Sequence, residues 1–365
     1  MKLKKLLKWT LITSVVLIIG SYAVNKQIEA NVIEPLEASD NYKDGKFHNL
    51  AEKNKPSFGE MMGVLKRYIT EKKVDSEPKN DLPLAPLNRQ ILEDLSDDGL
   101  HLVKLGHSSM LIKASGKYLL IDPVFSDRAS PFSFIGPKRF QPTPISIDEL
   151  PTIGAVLISH NHYDHLDKAA IKKLVSKTKQ FLVPMGVEGD LQKWGVDKAK
   201  VTRFNWWQEL NIDDILFAFT PSQHFSGRGL GDGDKTLWGS WVIKAADKSL
   251  YFSGDSGYFD GFKAIGEKYG PFDLTMIETG AYNKDWPDVH MFPNESVQAH
   301  IDLQGKMMLP IHNSTFDLSF HAWYEPLKRV TSEAEKRQVQ LTTPVVGEVF
   351  TVEQSRDEPW WKAYL

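Results

Sequence analysis

The feature that most constrains this chain is a cluster of four metal-type side chains directly after an apolar run. The run spans residues 154–159, and His160, His162, Asp164 and His165 follow it within six residues. Imidazole nitrogen and carboxylate oxygen are the ligands that zinc and similar divalent ions take. Packing four such side chains together does not stabilise a fold by itself. The pattern therefore predicts a metal-binding loop at a strand end, in which the first two residues serve one ion and the last two serve a second ion.

Three further apolar runs of strand length each lead to a residue that can bind metal, namely His224, Asp255 and His312. Loops at the ends of neighbouring strands meet at one edge of a sheet, so we expect these residues to join the cluster. The complete set provides three side chains for each of two ions. The seventh, Asp255, can offer one oxygen to each ion, as carboxylates do between ions about 3.5–4 Å apart.

The composition is that of a globular protein, and it excludes several classes. The 365 residues are 41% hydrophobic and 25% charged, which suits one large domain or two. A net charge of −3 gives no basic excess, so we expect no nucleic-acid partner. The chain has no cysteine, which excludes thiolate ligands, disulfides and a thiol nucleophile.

The N-terminus predicts export or membrane anchoring. Four lysines within residues 2–8 precede an uncharged run from Trp9 to Val24, and a basic segment before an apolar one is typical of such signals. We favour an uncleaved signal anchor over residues 1–24, although cleavage after Ala23 is also compatible with the sequence. In both cases the positive-inside rule places the rest of the chain outside the cytoplasmic membrane, either anchored or secreted.

We expect three further segments: a polar tether over residues 25–55, a globular domain with the predicted metal ligands over residues 56–352 and a C-terminal tail over residues 353–365. The tether is charged and lacks apolar periodicity. The domain begins with a helical extension over residues 56–99, whose first helix can be capped by Ser57.

Several longer stretches extend the pattern beyond the metal ligands. They are Gly136-Pro137-Lys138-Arg139-Phe140, Trp238-Gly239-Ser240-Trp241, Gly254-Asp255-Ser256-Gly257-Tyr258 and Gly280-Ala281-Tyr282. With the His-x-His-x-Asp-His string, they resemble the metallo-β-lactamase superfamily. Within it they resemble the zinc-dependent phospholipase D family that hydrolyses N-acylphosphatidylethanolamine. The likeness runs from about residue 56 to about residue 350 and implies an α/β fold, an αββα sandwich.

The resemblance implies the same seven ligands. One zinc ion would be held by His160, His162 and His224, and the other by Asp164, His165 and His312, with Asp255 bridging. Manganese or iron also suits such nitrogen and oxygen ligands. The catalytic residues would be Asp164, Asp255 and His290, of which His290 would face the substrate. His107 and Asp122 would support the ligands through hydrogen bonds, and a dimer is possible.

The chain departs from this family around the expected substrate groove. Asn313-Ser314 follow His312, where the family usually has a tryptophan and a glycine. Residues 131–135 are apolar, where the family has a more polar loop. Together with Phe225, the apolar residues of this loop could contact acyl chains. These changes leave all seven expected ligands in place.

These features predict a phospholipid or another phosphodiester as the substrate. A metal-activated water would attack phosphorus on the head-group side of an N-acyl glycerophospholipid, as in phospholipase D. A lactonase that uses the same site on a carbonyl is the alternative. A β-lactamase usually replaces one ligand with cysteine or rearranges the site, and a non-catalytic tethered protein would have lost ligands. Neither class fits a chain without cysteine that keeps all seven.

Overall fold

The computed structural model describes residues 41–52, 57–245 and 247–365, and two seven-stranded sheets form its centre. The first sheet contains β3 (Leu100–Gly106), β4 (Ser109–Ala114), β5 (Lys117–Ile121), β6 (Ile153–Leu157), β7 (Thr178–Pro184), β8 (Val201–Phe204) and β16 (Val349–Phe350) in the spatial order β16-β3-β4-β5-β6-β7-β8. The second contains β9 (Glu209–Ile212), β10 (Ile215–Thr220), β11 (Ser240–Ala245), β12 (Lys248–Phe252), β13 (Phe272–Glu278), β14 (Gly305–Ile311) and β15 (Gln340–Leu341) in the order β15-β14-β13-β12-β11-β10-β9. In both sheets, antiparallel strands continue into parallel ones.

The described residues also form seven α-helices and three short 3-10 helices. The α-helices are α1 (Phe58–Thr70), α2 (Arg89–Glu93), α3 (Lys168–Leu174), α4 (Val187–Lys193), α5 (Gly261–Tyr269), α6 (Pro293–Asp302) and α7 (Glu325–Arg337). The 3-10 helices are Ile147–Glu149, Lys198–Lys200 and Trp360–Tyr364. Residues of α2, α3 and α4 pack on the first sheet, and those of α5, α6 and α7 pack on the second.

Alternating side chains of the strands bury both faces of each sheet. Ile112 and Leu119 of the first sheet pack against the second sheet, whereas their neighbours Leu111 and Leu120 pack against the helices. Strands that are buried on both faces read as nearly continuous apolar runs, which explains why they stand out in the sequence. The layers are helices, sheet, sheet and helices, and this architecture confirms the predicted αββα fold class.

The strand ends that carry the predicted ligands meet at one edge of this sandwich. In the second sheet β12, β13 and β14 are mutually parallel, so Asp255 after β12, Glu278 at the end of β13 and His312 after β14 lie side by side. The antiparallel neighbour β11 makes β10 run in the same direction, which brings His224 to this edge. His160 follows β6 of the facing sheet. Topology therefore collects the ligands from both sheets.

Part of the segment that we predicted as a tether packs on the domain. Residues Tyr42–Lys43 (β1) and Lys46–Phe47 (β2) form a short hairpin, and the Phe47 side chain is 2% exposed in the core between the sheets. The Asn49 amide donates to the carbonyl of His224 at 2.7 Å and accepts from its N–H at 3.0 Å. The Phe47 ring and the Asn49 amide thus attach this polar segment to the domain, although the segment lacks apolar periodicity.

The predicted N-terminal anchor is not tested by the structure, whereas the predicted C-terminal tail is described. The predicted anchor over residues 1–24 lies outside the described residues, and within those residues no helix has the length and apolar character needed to span a bilayer. Ser57 caps α1 as predicted and forms a capping box with Glu60. In the predicted C-terminal tail, Trp361 is buried against Leu82 and Trp323, so this segment is packed on the domain.

The docking of residues 41–52 can be tested through stability. We expect Phe47→Ala to lower the free energy of unfolding by about 3 kcal/mol, because it removes a buried aromatic ring and leaves a cavity. Leu50→Ala is the matched control: Leu50 is 59% exposed, and its truncation should change the value by less than about 0.5 kcal/mol. Chemical denaturation of the purified variants measures both values. Equal stability of the two variants would contradict the docking.

Candidate metal centre

The structure brings the seven predicted ligands together in two adjacent groups. In the first group, Nδ1 of His162 lies 2.9 Å from Nε2 of His160 and 3.2 Å from Nε2 of His224. Oδ2 of Asp255 lies 3.7 Å from both of these Nε2 atoms. Three ring nitrogens and a carboxylate oxygen thus surround a common point, and their spacing is small enough for one metal ion.

The second group contains Asp164, His165 and His312. Oδ2 of Asp164 lies 3.6 Å from Nε2 of His165 and 3.2 Å from Nε2 of His312. Asp255 reaches both imidazoles, with Oδ1 3.1 Å from His165 Nε2 and Oδ2 3.1 Å from His312 Nε2. A single carboxylate therefore lies between the two groups, as a bridging role requires. That these residues bind metal stays a prediction, with which this geometry agrees.

Hydrogen bonds on the far side of the rings fix which nitrogen faces the first group. Nδ1 of His224 lies 2.9 Å from the carbonyl oxygen of Val289, which can only accept, so this ring carries its proton on Nδ1. Nδ1 of His160 lies 3.0 Å from Oγ of Ser159, whose own proton is donated to Asp122. Both rings therefore direct an Nε2 lone pair into the group. Converging lone pairs repel one another unless a cation lies between them, so these residues fit a metal ion.

Asp122 supports the second group. Its Oδ2 accepts a hydrogen bond from Nδ1 of His165 at 2.7 Å, and its Oδ1 accepts the N–H of Ser159, also at 2.7 Å. The hydrogen bond from Nδ1 of His165 orients this ring so that its Nε2 points towards Asp255. Asp122 therefore holds the predicted supporting position, and it reaches both groups because Ser159 in turn contacts His160.

Backbone strain surrounds the site. The non-glycine residues His107, Asp122 and His312 have φ values of +52°, +43° and +62°. Such conformations cost free energy and persist only when the surroundings fix them. At His107 the backbone N–H donates to Oγ1 of Thr315 at 2.6 Å, and the ring Nε2 lies 3.0 Å from Oδ2 of Asp164. His107 thus makes the predicted contact with Asp164, and its ring also lies close enough to Asp164, His165 and His312 to share an ion with them.

Burial keeps the imidazoles of the first group neutral. It lowers the pKa of His160 and His224 well below the ordinary histidine value and lowers the pKa of His162 to about 4. A neutral imidazole keeps the lone pair that a metal ion needs. The three histidines are therefore ready to act as ligands near neutral pH.

The second group has the opposite electrostatics. Burial opposes protonation of His312, but the carboxylates of Asp255 and Asp164 outweigh it and raise its pKa to about 10. The same carboxylates raise the pKa of His165 against the effect of burial, and the imidazoles in return hold the pKa of Asp255 well below its usual range. A metal ion would take the place of these protons, so binding is expected to release them.

His290 lies beside both groups, and its partner is a residue that the sequence reasoning missed. The His290 ring centroid is 5.1 Å from that of His224 and 5.4 Å from that of His312. Its Nδ1 donates a hydrogen bond to the buried carboxylate of Glu278. The available signal was a carboxylate that ends an apolar strand between two strands that lead to ligands.

Exposed apolar side chains lie near the site. The Phe225 ring is 4.6 Å from the rings of His162 and His224. In the predicted apolar loop, Phe134 and Ile135 are 77% and 58% exposed. The base of this loop is hydrogen-bonded to the segments that follow β6 and β14. The N–H groups of Phe125 and Ser126 donate to the carboxylate of Asp167, and the N–H of Phe140 donates to the carbonyl of Thr315.

Comparison with known proteins gives a family match that spans all seven predicted ligands. The family described as "Beta-lactamase superfamily domain" matches residues 117–313. This range contains the seven predicted ligands, the supporting Asp122 and the pair of Glu278 and His290.

Individual relatives extend the likeness over most of the chain. An uncharacterized protein of Mycobacterium tuberculosis is 38% identical over 332 residues, which are 89% of this chain and 88% of that protein. The N-acyl-phosphatidylethanolamine-hydrolyzing phospholipase D 1 of Caenorhabditis elegans is 32% identical over 318 residues, 81% of this chain and 88% of that one. Among solved structures, the metallo hydrolase Igni18 of Ignicoccus hospitalis has a TM-score of 0.54 at 21% identity and covers 69% of this chain and 97% of its own, which shows a shared fold.

The supporting role of Asp122 predicts weaker metal binding without it. Asp122→Asn keeps a side chain that tolerates positive φ but turns an amide N–H towards donors that need a carboxylate, so we expect metal affinity to fall about 10–100-fold. Competition with a chelator of known affinity measures this change. Asp247→Asn is the matched control, since Asp247 also has positive φ (+58°) and lies exposed in the β11–β12 turn. An Asp122→Asn affinity equal to that of the control would contradict the role.

Proposed function

Since this chain belongs to the beta-lactamase superfamily and is a metal-dependent hydrolase of that family, we propose that it is a dinuclear-zinc phosphodiesterase of phospholipase D type. The substrate would be an N-acyl glycerophospholipid, cut on the head-group side to release an N-acylethanolamine and leave phosphatidic acid. The observation that carries the reaction class is the position of Asp255 between two groups of nitrogen and oxygen ligands. The phospholipase D relative supports the substrate class.

The ligand chemistry supports zinc, with manganese or iron as alternatives. All seven side chains offer nitrogen or oxygen, and a chain without cysteine supplies no thiolate. The first ion would be held by His160, His162 and His224, and the second by the remaining two histidines and Asp164. When bound, two such ions acidify a water molecule and stabilise the negative charge that develops on phosphoryl oxygens.

The residues of the chain would divide the other tasks between them. Asp255 and Asp164 supply the negative charge that holds the site together, and both are oriented by the imidazoles around them. His290 is 14% exposed, whereas four of the five predicted ligand histidines are buried, namely His160, His165, His224 and His312. It could therefore contact the substrate, either at the phosphoryl oxygens or at the leaving oxygen.

The surroundings of the site support a lipid substrate. Phe225 stands beside the ligand histidines, and the loop with exposed Phe132, Phe134 and Ile135 extends from the same region. Exposed apolar side chains beside a site and on a loop tied to it favour an apolar partner. We further propose that the domain acts outside the cytoplasmic membrane, where the anchor expected over residues 1–24 would raise the effective concentration of lipid.

Product analysis tests this function. Full-length protein should be incubated in detergent micelles with an N-acylphosphatidylethanolamine, bis-p-nitrophenyl phosphate and an N-acyl homoserine lactone, and products should be identified by mass spectrometry. We expect N-acylethanolamine and phosphatidic acid from the lipid. Asp255→Asn should abolish this activity, because it removes a charge shared by both groups, and the exposed Asp247→Asn should retain it.

Two outcomes would overturn parts of the proposal. Opening of the lactone without cleavage of any phosphodiester would identify a lactonase that uses the same site. Cleavage of bis-p-nitrophenyl phosphate without cleavage of the lipid would keep the reaction at phosphorus and discard the lipid as substrate.

A further inference from the structure

Glu278 is a buried carboxylate in an unusual position. It is the last residue of β13, its side chain is fully buried, and β13 lies between the two strands that lead to Asp255 and His312. Among the residues that the structure describes, no lysine or arginine forms an ion pair with it; the ion-pair contacts it makes are with imidazoles. Burial of a carboxylate is costly unless hydrogen bonds and charges compensate it. The buried carboxylate of Glu278 therefore needs hydrogen-bond donors or positive charge nearby.

Each oxygen of Glu278 has one close partner. Oε2 accepts the N–H of Ser256 at 2.6 Å, which ties the side chain to the residue after Asp255. Oε1 accepts the Nδ1 proton of His290. The His312 ring is farther away, with Nδ1 3.9 Å from Oε1, which is beyond a hydrogen bond. Glu278 is thus fixed by the main chain on one side and orients one imidazole on the other.

The backbone of Glu278 is fixed as well. Its N–H donates to Oγ of Ser253 at 2.9 Å, and its carbonyl accepts from Oγ of Ser296 at 2.7 Å. Together with the hydrogen bond from Ser256, these contacts hold the carboxylate in one position. A hydrogen bond to such a rigid acceptor determines both the ring orientation and the tautomer of His290, with Nδ1 protonated.

The other nitrogen of His290 is available to the site. The ring lies next to His224 of the first group and His312 of the second, and its side chain is partly exposed, so it can exchange protons with water. A buried carboxylate that accepts from Nδ1 of an imidazole, and so orients the ring, is an arrangement by which hydrolases position histidine for proton transfer. Four of the five predicted ligand histidines are buried, whereas His290 is 14% exposed and has its Nδ1 bonded to Glu278.

We infer that Glu278 is a positioning residue that holds His290 as the proton donor to the leaving oxygen, an inference that rests on the proposed phosphodiesterase function. The oxygen of water forms the new bond to phosphorus and loses one proton to solvent. His290, whose Nδ1 proton stays in the hydrogen bond to Glu278, takes up a second proton from solvent on Nε2. The bond from phosphorus to the leaving oxygen breaks with its electron pair, and Nε2 gives this second proton to that oxygen. His290 thereby returns to its starting form, so atoms and charges balance over one turnover.

The substitution Glu278→Gln separates this role from a structural one. Because the N–H of Ser256 requires an acceptor, the amide oxygen of Gln would face Ser256 and the amide N–H₂ would face His290. The amide N–H of Gln and the Nδ1–H of His290 would then both be donors that face each other. The ring must therefore move its proton from Nδ1 to Nε2, so that Nδ1 can accept. The shape and volume of the side chain stay nearly the same, and the fold should be retained.

The dependence on the leaving group provides the kinetic test in full-length protein. Two substrates share one phosphatidyl group: an N-acylphosphatidylethanolamine, whose alkoxide needs a proton, and phosphatidyl-p-nitrophenol, whose phenolate leaves without one. We expect Glu278→Gln to lower kcat on the first by about 10²-fold and on the second by less than about 3-fold. His290→Ala should give the same pattern, and the double variant should be no worse than His290→Ala alone. Glu295→Gln is the matched control and should leave both rates unchanged, because the Glu295 side chain, within the described residues, only accepts the N–H of Phe292 at the start of α6.

A second measurement does not depend on activity. Long-range ¹H–¹⁵N NMR of histidine-labelled protein, assigned with His290→Ala, should show His290 protonated at Nδ1 in the wild type and at Nε2 in Glu278→Gln. Equal loss on both substrates, or no loss on either, would reduce Glu278 to a structural residue. An unchanged tautomer would overturn the positioning role. A wild-type protein that cleaves neither substrate but shows the tautomer change would refute the proposed function alone.

Discussion

The structure depends on one arrangement of charge, the buried carboxylate of Asp255 between two groups of imidazoles. On one side His160 and His224 are neutral and direct their Nε2 lone pairs towards it. On the other side His165 and His312 lie 3.1 Å from its oxygens and keep protons because of it. Divalent ions would satisfy both sides at once, since they accept the lone pairs and neutralise the carboxylate.

The fold makes this arrangement possible because strand ends from both sheets meet at one edge. The His160 loop follows β6 of the first sheet, and His224, Asp255 and His312 follow strands of the second. Trp241 links the same layers through a hydrogen bond from its indole N–H to the carbonyl of Ile158 at 2.9 Å. A metal ion in either group would therefore join the two sheets, so metal binding is expected to stabilise the folded domain as well as to support hydrolysis.

The four side chains after β6 and the buried strands could be predicted from the sequence. The His160–His165 window is a local string, and the other ligands follow apolar runs that are easy to recognise because their strands are buried on both faces. Glu278 could not be assigned in this way, because its role depends on contacts with Ser256 and His290 that only the tertiary structure creates. The same holds for Phe47, since one buried ring in a polar segment leaves no periodic signal.

Anomalous diffraction tests the central claim most directly. Crystals of the full-length protein, grown with zinc and measured on both sides of the zinc absorption edge, would locate each ion independently of activity. We expect two peaks about 3.5–4 Å apart, one among His160, His162 and His224 and the other beside His165, with an oxygen of Asp255 within bonding distance of each. A single peak, or two peaks of which one does not contact Asp255, would contradict a dinuclear site bridged by Asp255.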